Sequence, residues 1–249
     1  MPSIAFETLI DDSLAKITTV SQLQSLINKQ VLSLVNDYED GKWQYKRFQR
    51  YLWDNIAQTA LSERERAALA DCSQSSLVAA AANLRLTDKD DIGQGSEIAE
   101  VFLYGIMRNH FNALPVVPKI FYKQNVKDNA KGADSVHIVV NSAGNDFTLW
   151  FGEAKFYSSI EDSRLDSVVN SVFGSLNTEK LRKENAIITN VSDIDQLTMS
   201  ETLRAKIKSA LSSQVSIDHL KSRIHVPILL LHQCKNTASN LDLSTKYKN

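Results

Sequence analysis

Cysteine is scarce in this chain, and its two cysteines give no sign of a shared role. Cys72 and Cys234 belong to no Cys-x-x-Cys pair, which argues against a disulfide framework or a zinc site. The five histidines show no ligand spacing such as His-x-x-x-His. We therefore expect two unreactive thiols and no zinc, and we interpret His137 as a core or surface histidine.

Long apolar runs are also missing. No stretch of the 249 residues approaches the roughly 18 uncharged apolar residues that span a bilayer. Residues 1–14 contain acids and no basic segment, unlike a secretory signal peptide. We therefore expect a cytoplasmic protein. Its 43% hydrophobic and 23% charged residues are typical of a soluble globular fold.

Neither sign of charge is in excess, because the formal net charge is −1. A protein that coats DNA draws its affinity from many phosphate contacts and needs a basic surface. The composition excludes that mode of binding. Any contact with nucleic acid must be local, or a partner must supply it.

Glycine and proline are nearly absent from the N-terminal third. Residues 6–84 contain one glycine and no proline, and this composition predicts a helical region. The best single helix runs over Trp43–Ala70, where Phe48, Leu52 and Ile56 recur every four residues. A polar segment over residues 86–95 then predicts a loop. We place the domain boundary there, between a helical N-terminal region at 1–87 and a second domain at 88–249.

The second domain alternates between helix and strand patterns. The spacing predicts a helix over Ser96–His110 and another over Ile160–Lys183. Strands are predicted over Pro115–Asn125, Gly132–Val140, Leu149–Lys155, Ala186–Thr189 and Val226–Leu231. The order predicts an α/β fold with a mixed sheet flanked by helices.

The most informative segment is the predicted hairpin at residues 132–155. Asp134 begins its first strand, while Glu153 and Lys155 end the second and share one face, because strand side chains alternate. A turn centred on Ala143–Gly144 would place Asp134 opposite Glu153. A turn centred on Gly144–Asn145 would place Asp134 opposite Lys155, with Glu153 a diagonal neighbour at roughly 7–8 Å or less. Either register brings the two carboxylates together.

Two adjacent carboxylates repel unless a cation lies between them, and Mg²⁺ or Mn²⁺ suits oxygen ligands. Such a metal can polarise a phosphate and activate a water, while Lys155 orients that water or offsets charge on phosphorus. This is the layout of a metal-dependent nuclease core. Glu97 and Glu100 on the preceding helix are candidates for a further acid. We favour Glu100, which leads directly into the apolar segment at residues 101–103.

Three blocks of this sequence resemble a known family. Gly95–Tyr104, Lys131–His137 and Leu149–Tyr157 are similar to the HamA family of the Hachiman anti-phage defence system, which belongs to the PD-(D/E)xK nuclease-like superfamily. The resemblance covers roughly residues 95–231 and implies a restriction-endonuclease-like sheet. It also implies that Asp134 and Glu153 are metal carboxylates, that Lys155 is the catalytic lysine, and that Glu100 or Glu97 is the helix acid. Ala133 replaces the leading proline of the motif.

The resemblance further implies a HamB-like helicase partner and a role in degrading DNA during infection. The leading hypothesis is a Mg²⁺-dependent DNA nuclease that the helicase licenses, with residues 1–87 as the partner interface. One alternative is a non-catalytic module that keeps the nuclease fold and restrains the helicase. Another is the same chemistry directed at RNA, since reading a 2′-hydroxyl needs details that a sequence does not show.

Overall fold

The computed structural model describes residues 6–11, 32–69, 71–83, 96–117, 133–160, 162–190, 193–196 and 199–242. Its strands are β1 (Glu7–Asp11), β2 (Leu32–Val35), β3 (Tyr38–Glu39), β4 (Lys42–Trp43), β5 (Leu114–Val117), β6 (Ser135–Val140), β7 (Phe147–Tyr157), β8 (Ile224–His225) and β9 (Ile228–His232). Its helices are α1 (Tyr45–Ala60), α2 (Glu63–Ala68), α3 (Ser73–Asn83), α4 (Ser96–His110), α5 (Asp162–Ser175), α6 (Thr178–Asn190), α7 (Asp193–Gln196), α8 (Glu201–Leu211), α9 (Asp218–Lys221) and α10 (Lys235–Ala238). None of these described helices is long and apolar enough to cross a membrane.

Two compact units divide the chain. One contains Leu52–Gln233, and the other contains Ile4–Tyr51 together with Cys234–Asn249. The boundary predicted between residues 87 and 88 falls in a segment outside the described residues. The division into domains at 1–87 and 88–249 therefore stays a prediction.

The smaller unit contains strands where the sequence analysis predicted helix. Strand β1 pairs with β2, and β3 pairs with β4, both in antiparallel fashion. The β3–β4 turn is formed by Asp40 and Gly41, which both have positive φ. Asp-Gly between two short strands is a hairpin signal, and it outweighs the general scarcity of glycine in this region. The prediction of a wholly helical N-terminal region is wrong for this part.

The predicted helix over Trp43–Ala70 is two helices, α1 and α2, with a break at Leu61 and Ser62. The Ser62 hydroxyl accepts a hydrogen bond from the Glu65 amide at 3.2 Å, and the Glu65 carboxylate accepts one from the Ser62 amide at 2.9 Å. This reciprocal pair is a capping box, and it starts a new helix at Glu63. The pattern Ser-x-x-Glu was present in the sequence as a signal for that break.

The larger unit is built around a mixed five-stranded sheet. Its hydrogen-bonded order is β5-β6-β7-β8, and β9 also pairs with β7. Strands β5, β6 and β7 are antiparallel neighbours, whereas β8 and β9 run parallel to β7. Of the strand predicted over Val226–Leu231, residues 228–231 belong to β9, whereas Val226 and Pro227 lie between β8 and β9. A mixed sheet flanked by helices confirms the predicted α/β class.

The sheet is covered by helices on both faces. On one face, α4 occupies its predicted bounds and packs through Ala99, Leu103 and Met107 against Ala154 of β7. The other face carries the largest core, formed with helices that follow the hairpin in sequence. Its members include Val136, Ile138, Phe147, Leu149, Phe151, Leu181, Ile188, Leu203, Ile207 and Leu211.

Two further sequence predictions need correction. The helix predicted over Ile160–Lys183 is divided into α5 and α6, because the Asn177 side chain accepts a hydrogen bond from the Lys180 amide at 2.9 Å and caps a new helix. The run Ala186–Thr189, predicted as a strand, lies inside α6. Leu181 and Ile188 are two helical turns apart and both are buried in the large core, so the run continues a helical stripe. Of the strand predicted over Pro115–Asn125, residues 118–125 lie outside the described residues.

Candidate active site

The β6–β7 hairpin has the first of the two registers that the sequence allowed. Val140 pairs with Phe147 and Ser135 pairs with Gly152. Asp134 comes directly before β6, and its amide donates a hydrogen bond at 2.8 Å to the carbonyl of Gly152, the residue before Glu153. The two carboxylate residues therefore lie at the same end of neighbouring strands.

Three predicted site residues converge at this end of the hairpin. The Lys155 ammonium forms an ion pair with Glu153 Oε1 and lies 4.0 Å from Asp134 Oδ2. Asp134 Oδ2 also accepts a hydrogen bond from the Ala154 amide at 3.0 Å. The Lys155 ammonium thus lies within ion-pair distance of both carboxylates, and the Ala154 N–H fixes the orientation of Asp134.

The cluster is mostly shielded from water. The exposed fraction of the side chain is 5% for Glu153, 15% for Asp134 and 24% for Lys155. Desolvation lowers the pKa of Lys155, but the hydrogen bond to Glu153 and the charge of Asp134 outweigh it and raise that pKa above its ordinary value. Lys155 is therefore a cation at neutral pH.

Ser171 on α5 also contacts the cluster, and the sequence analysis missed it. Its hydroxyl donates to Glu153 Oε1 over 2.5 Å. A lone serine at a helical position carries no recognisable signal, because its partner lies on a strand 18 residues earlier. Only the packing of α5 against β7 reveals the contact.

A second cationic side chain, Arg164 of α5, lies beside the last residue of β7. Tyr157 is the last residue of β7 and shares the face of Lys155, two residues earlier. The guanidinium of Arg164, on the first turn of α5, lies 4.9 Å from the centre of the Tyr157 ring. This distance is within the range of a cation–π contact, which favours an Arg side chain placed beside the ring.

The two candidate acids on helix α4 are Glu97 and Glu100. Glu97 and Glu100 lie on the first turns of α4, and Glu100 is buried. Among the described residues, no group of three or more His, Cys, Asp or Glu side chains is arranged to hold a metal ion. The described structure therefore does not gather Glu97 or Glu100 with Asp134 and Glu153 into such a group, and their role stays a prediction.

The donor set at the hairpin nevertheless fits a hard divalent cation. Mg²⁺ is commonly bound through one or two carboxylates with several retained waters rather than by a full protein cage. Asp134 and Glu153 supply two carboxylates on one face of the sheet. Lys155 already shows that this position attracts positive charge.

The fold and the cluster together define an α/β protein with two carboxylates and a lysine on one face of a mixed sheet, at its inner strands β6 and β7. The family model of HamA matches residues 11–249, and the chain belongs to the HamA family. HamA is a component of the Hachiman anti-phage defence system and works with a partner. The match also covers much of the N-terminal third, which the sequence resemblance did not reach. Comparison with curated proteins and with solved structures gave no match.

Proposed function

We propose that this chain is the nuclease effector of a two-component anti-phage defence complex. It hydrolyses DNA phosphodiester bonds with Mg²⁺ or Mn²⁺, in a PD-(D/E)xK-like site, when a HamB-like helicase partner licenses it. The observation that carries the proposal is the convergence of Asp134, Glu153 and Lys155, with one ammonium within ion-pair distance of both carboxylates. A module without chemistry has no need for this arrangement.

Each residue has a distinct part in the proposed reaction. Asp134 and Glu153 would hold the divalent cation, which supplies Lewis-acid polarisation of the phosphate and activation of water when bound. The Ala154 amide keeps Asp134 oriented. The Lys155 ammonium offsets the negative charge that develops at phosphorus. Arg164, which lies beside the Tyr157 ring, would offer N–H donors to a neighbouring phosphate of the same strand.

The proposal includes a partner because the chain itself has no excess of positive charge with which to attract DNA. The formal net charge is −1, so delivery of DNA by a helicase explains how the site meets its substrate. We place the partner interface in residues 1–87, as the sequence analysis predicted.

The test is plasmid cleavage by the assembled complex of this chain and its helicase partner, with Mg²⁺ or with EDTA. We expect Glu153→Ala and Lys155→Ala each to lower the cleavage rate by at least about 100-fold, as loss of a charge-stabilising group typically does. EDTA should abolish cleavage by the unaltered complex. Thermal unfolding of each variant checks that the fold is intact.

Glu179 and Lys183 provide matched controls. They form an exposed ion pair at 3.1 Å on α6, so Glu179→Ala and Lys183→Ala remove the same residue types at the surface. Both controls should cleave normally. Full cleavage by a folded Glu153→Ala or Lys155→Ala complex would favour the non-catalytic module. Cleavage of RNA but not of DNA would redirect the proposal to RNA.

A further inference from the structure

Helix α5 carries four serines at four-residue spacing, Ser163, Ser167, Ser171 and Ser175, and the last three have different environments. Ser167 is exposed, and Ser175 is buried and donates to the Val172 carbonyl of its own helix at 2.8 Å. Ser171 lies between them and donates to Glu153 on the sheet. Serine in a helix commonly bonds back to its own preceding turn, as Ser175 does. The contact of Ser171 is therefore a specific link from α5 to the cluster.

The donors to Glu153 are distributed unevenly between its two carboxylate oxygens. Both the Ser171 hydroxyl and the Lys155 ammonium contact Oε1. Among the described residues, no donor contacts Oε2. Two donors on one oxygen fix the plane of the carboxylate and leave the other oxygen for a ligand.

We propose that Ser171 is a positioning residue that holds Glu153 Oε1 and thereby presents Oε2 to a divalent cation. The inference rests on the proposed function, because it assigns a task within the same site. This role also explains why both Lys155 and Ser171 donate to Glu153 Oε1. When Lys155 turns its charge toward a phosphate, the Ser171 hydroxyl still restrains Glu153.

The test measures Mn²⁺ binding to the full-length chain by titration calorimetry, without nucleic acid. We expect Ser171→Ala to weaken Mn²⁺ affinity by about 10- to 100-fold, the usual effect of removing a group that orients a metal ligand. Ser171→Thr keeps the hydroxyl and should restore most of the affinity. In cleavage assays, Ser171→Ala should lower kcat and leave KM for DNA unchanged.

Ser167→Ala is the matched control, since it makes the same change one helical turn away at an exposed position. It should bind Mn²⁺ like the unaltered chain. Alanine favours helix, so we expect Ser171→Ala to fold, and thermal unfolding checks this. Should it not fold, Ser171→Cys, with a weak S–H donor in place of the hydroxyl, should show the same loss of affinity.

The outcomes separate this inference from the proposed function. Unchanged Mn²⁺ affinity in Ser171→Ala, combined with lost affinity in Glu153→Gln, would overturn the role of Ser171 and leave the metal site standing. A loss that Ser171→Thr does not recover would mark a packing effect and would also overturn it. Unchanged affinity in Glu153→Gln would remove the metal site and this inference together.

Discussion

His137 is a fully buried histidine on β6, on the sheet face opposite the carboxylate cluster. Its ring lies beside Tyr104 of α4, with ring centroids 5.1 Å apart. Among the described residues, neither ring nitrogen has a hydrogen-bond partner. Burial lowers the pKa of His137 from 6.5 to about 3, so the folded protein holds this ring neutral over most of the acidic range.

Acid should therefore destabilise the fold through His137. Below pH 6.5 the unfolded chain binds a proton at this residue and the folded chain does not, until the pH approaches 3. The free energy of unfolding should fall by about 1.4 kcal/mol per pH unit in that window, or about 2 kcal/mol between pH 6.5 and 5. Urea unfolding at a series of pH values measures the slope.

His137→Leu is the variant that isolates this contribution, because leucine is of similar size and does not titrate. Its unfolding free energy should fall less steeply between pH 6.5 and 4. The pKa of the half-buried His225 is also lowered by desolvation, so some slope should remain. The pKa of Asp146 is lowered to about 2, first by its hydrogen bond with Arg223. The stability that Asp146 contributes is therefore lost at a lower pH than the stability that depends on His137. Equal slopes in both proteins would contradict the role of His137.

At the scale of elements, Gly152 allows β6, β7 and α4 to approach closely beside the cluster. A Cβ at this position would lie 2.2 Å from Ser135 Oγ and 2.7 Å from Leu103 Cδ2. Ser135 and Leu103 are both buried, so neither side chain can move without disturbing the packing. A side chain at the residue before Glu153 would therefore force these neighbours to shift, which favours glycine there.

We expect Gly152→Ala to lower the free energy of unfolding by about 1–3 kcal/mol, the usual cost of overpacking a core. Gly174 is the control, since it lies in α5 and, among the described residues, only the Lys180 Nζ is near its Cβ position, at 3.7 Å. Gly174→Ala should be neutral or stabilising. Ser135→Ala removes the closest atom and should recover part of the loss in a double-mutant cycle. No coupling between residues 135 and 152 would refute this account.

Elements with strong local signals were predictable from the sequence. The apolar spacing in Ser96–His110 gave the bounds of α4, and strand alternation around a Gly144 turn gave the hairpin and its two allowed registers. Asp134, Glu153 and Lys155 converge because that alternation places them on one face. This much of the site depends on contacts between residues close in sequence.

Contacts between distant segments were not predictable in the same way. Strands β1 and β2 pair across 20 intervening residues, and β8 and β9 join β7 from more than 60 residues away. The Ser171–Glu153 bond depends on how α5 docks on the sheet. The Ala186–Thr189 run is apolar and short, and periodicity alone does not distinguish a buried strand from a buried helical segment of that length.

At the scale of the whole molecule, the region predicted to bind the partner also contributes to the larger unit. Ile56, Ala60, Leu61 and Ala80 form a buried cluster with Val101 of α4. A deletion of all residues before Asp88 would remove most of this cluster and expose α4. A test of the partner interface therefore needs substitutions at exposed positions, such as Trp53 and Val78, rather than that deletion.

Several surface charges in the described structure are paired within the chain. Lys206 contacts Asp146, Lys208 contacts Asp195, and Lys221 contacts Asp218, all within ion-pair distance. Each pair leaves little net field to attract a phosphate backbone, since opposite charges at contact distance cancel at longer range. The 28 basic and 29 acidic residues of the whole sequence also leave almost no net charge to attract DNA.

The isolated chain should therefore bind DNA weakly and with a shallow salt dependence. We expect a Kd no tighter than the micromolar range of non-specific binding, about 10⁻⁶ M or weaker, measured by fluorescence anisotropy between about 50 and 200 mM salt. The complex with the helicase partner should bind the same duplex more tightly, because the partner supplies the phosphate contacts. Tight binding by the purified chain alone, with a steep loss of affinity as salt rises, would show that this chain recruits DNA by itself.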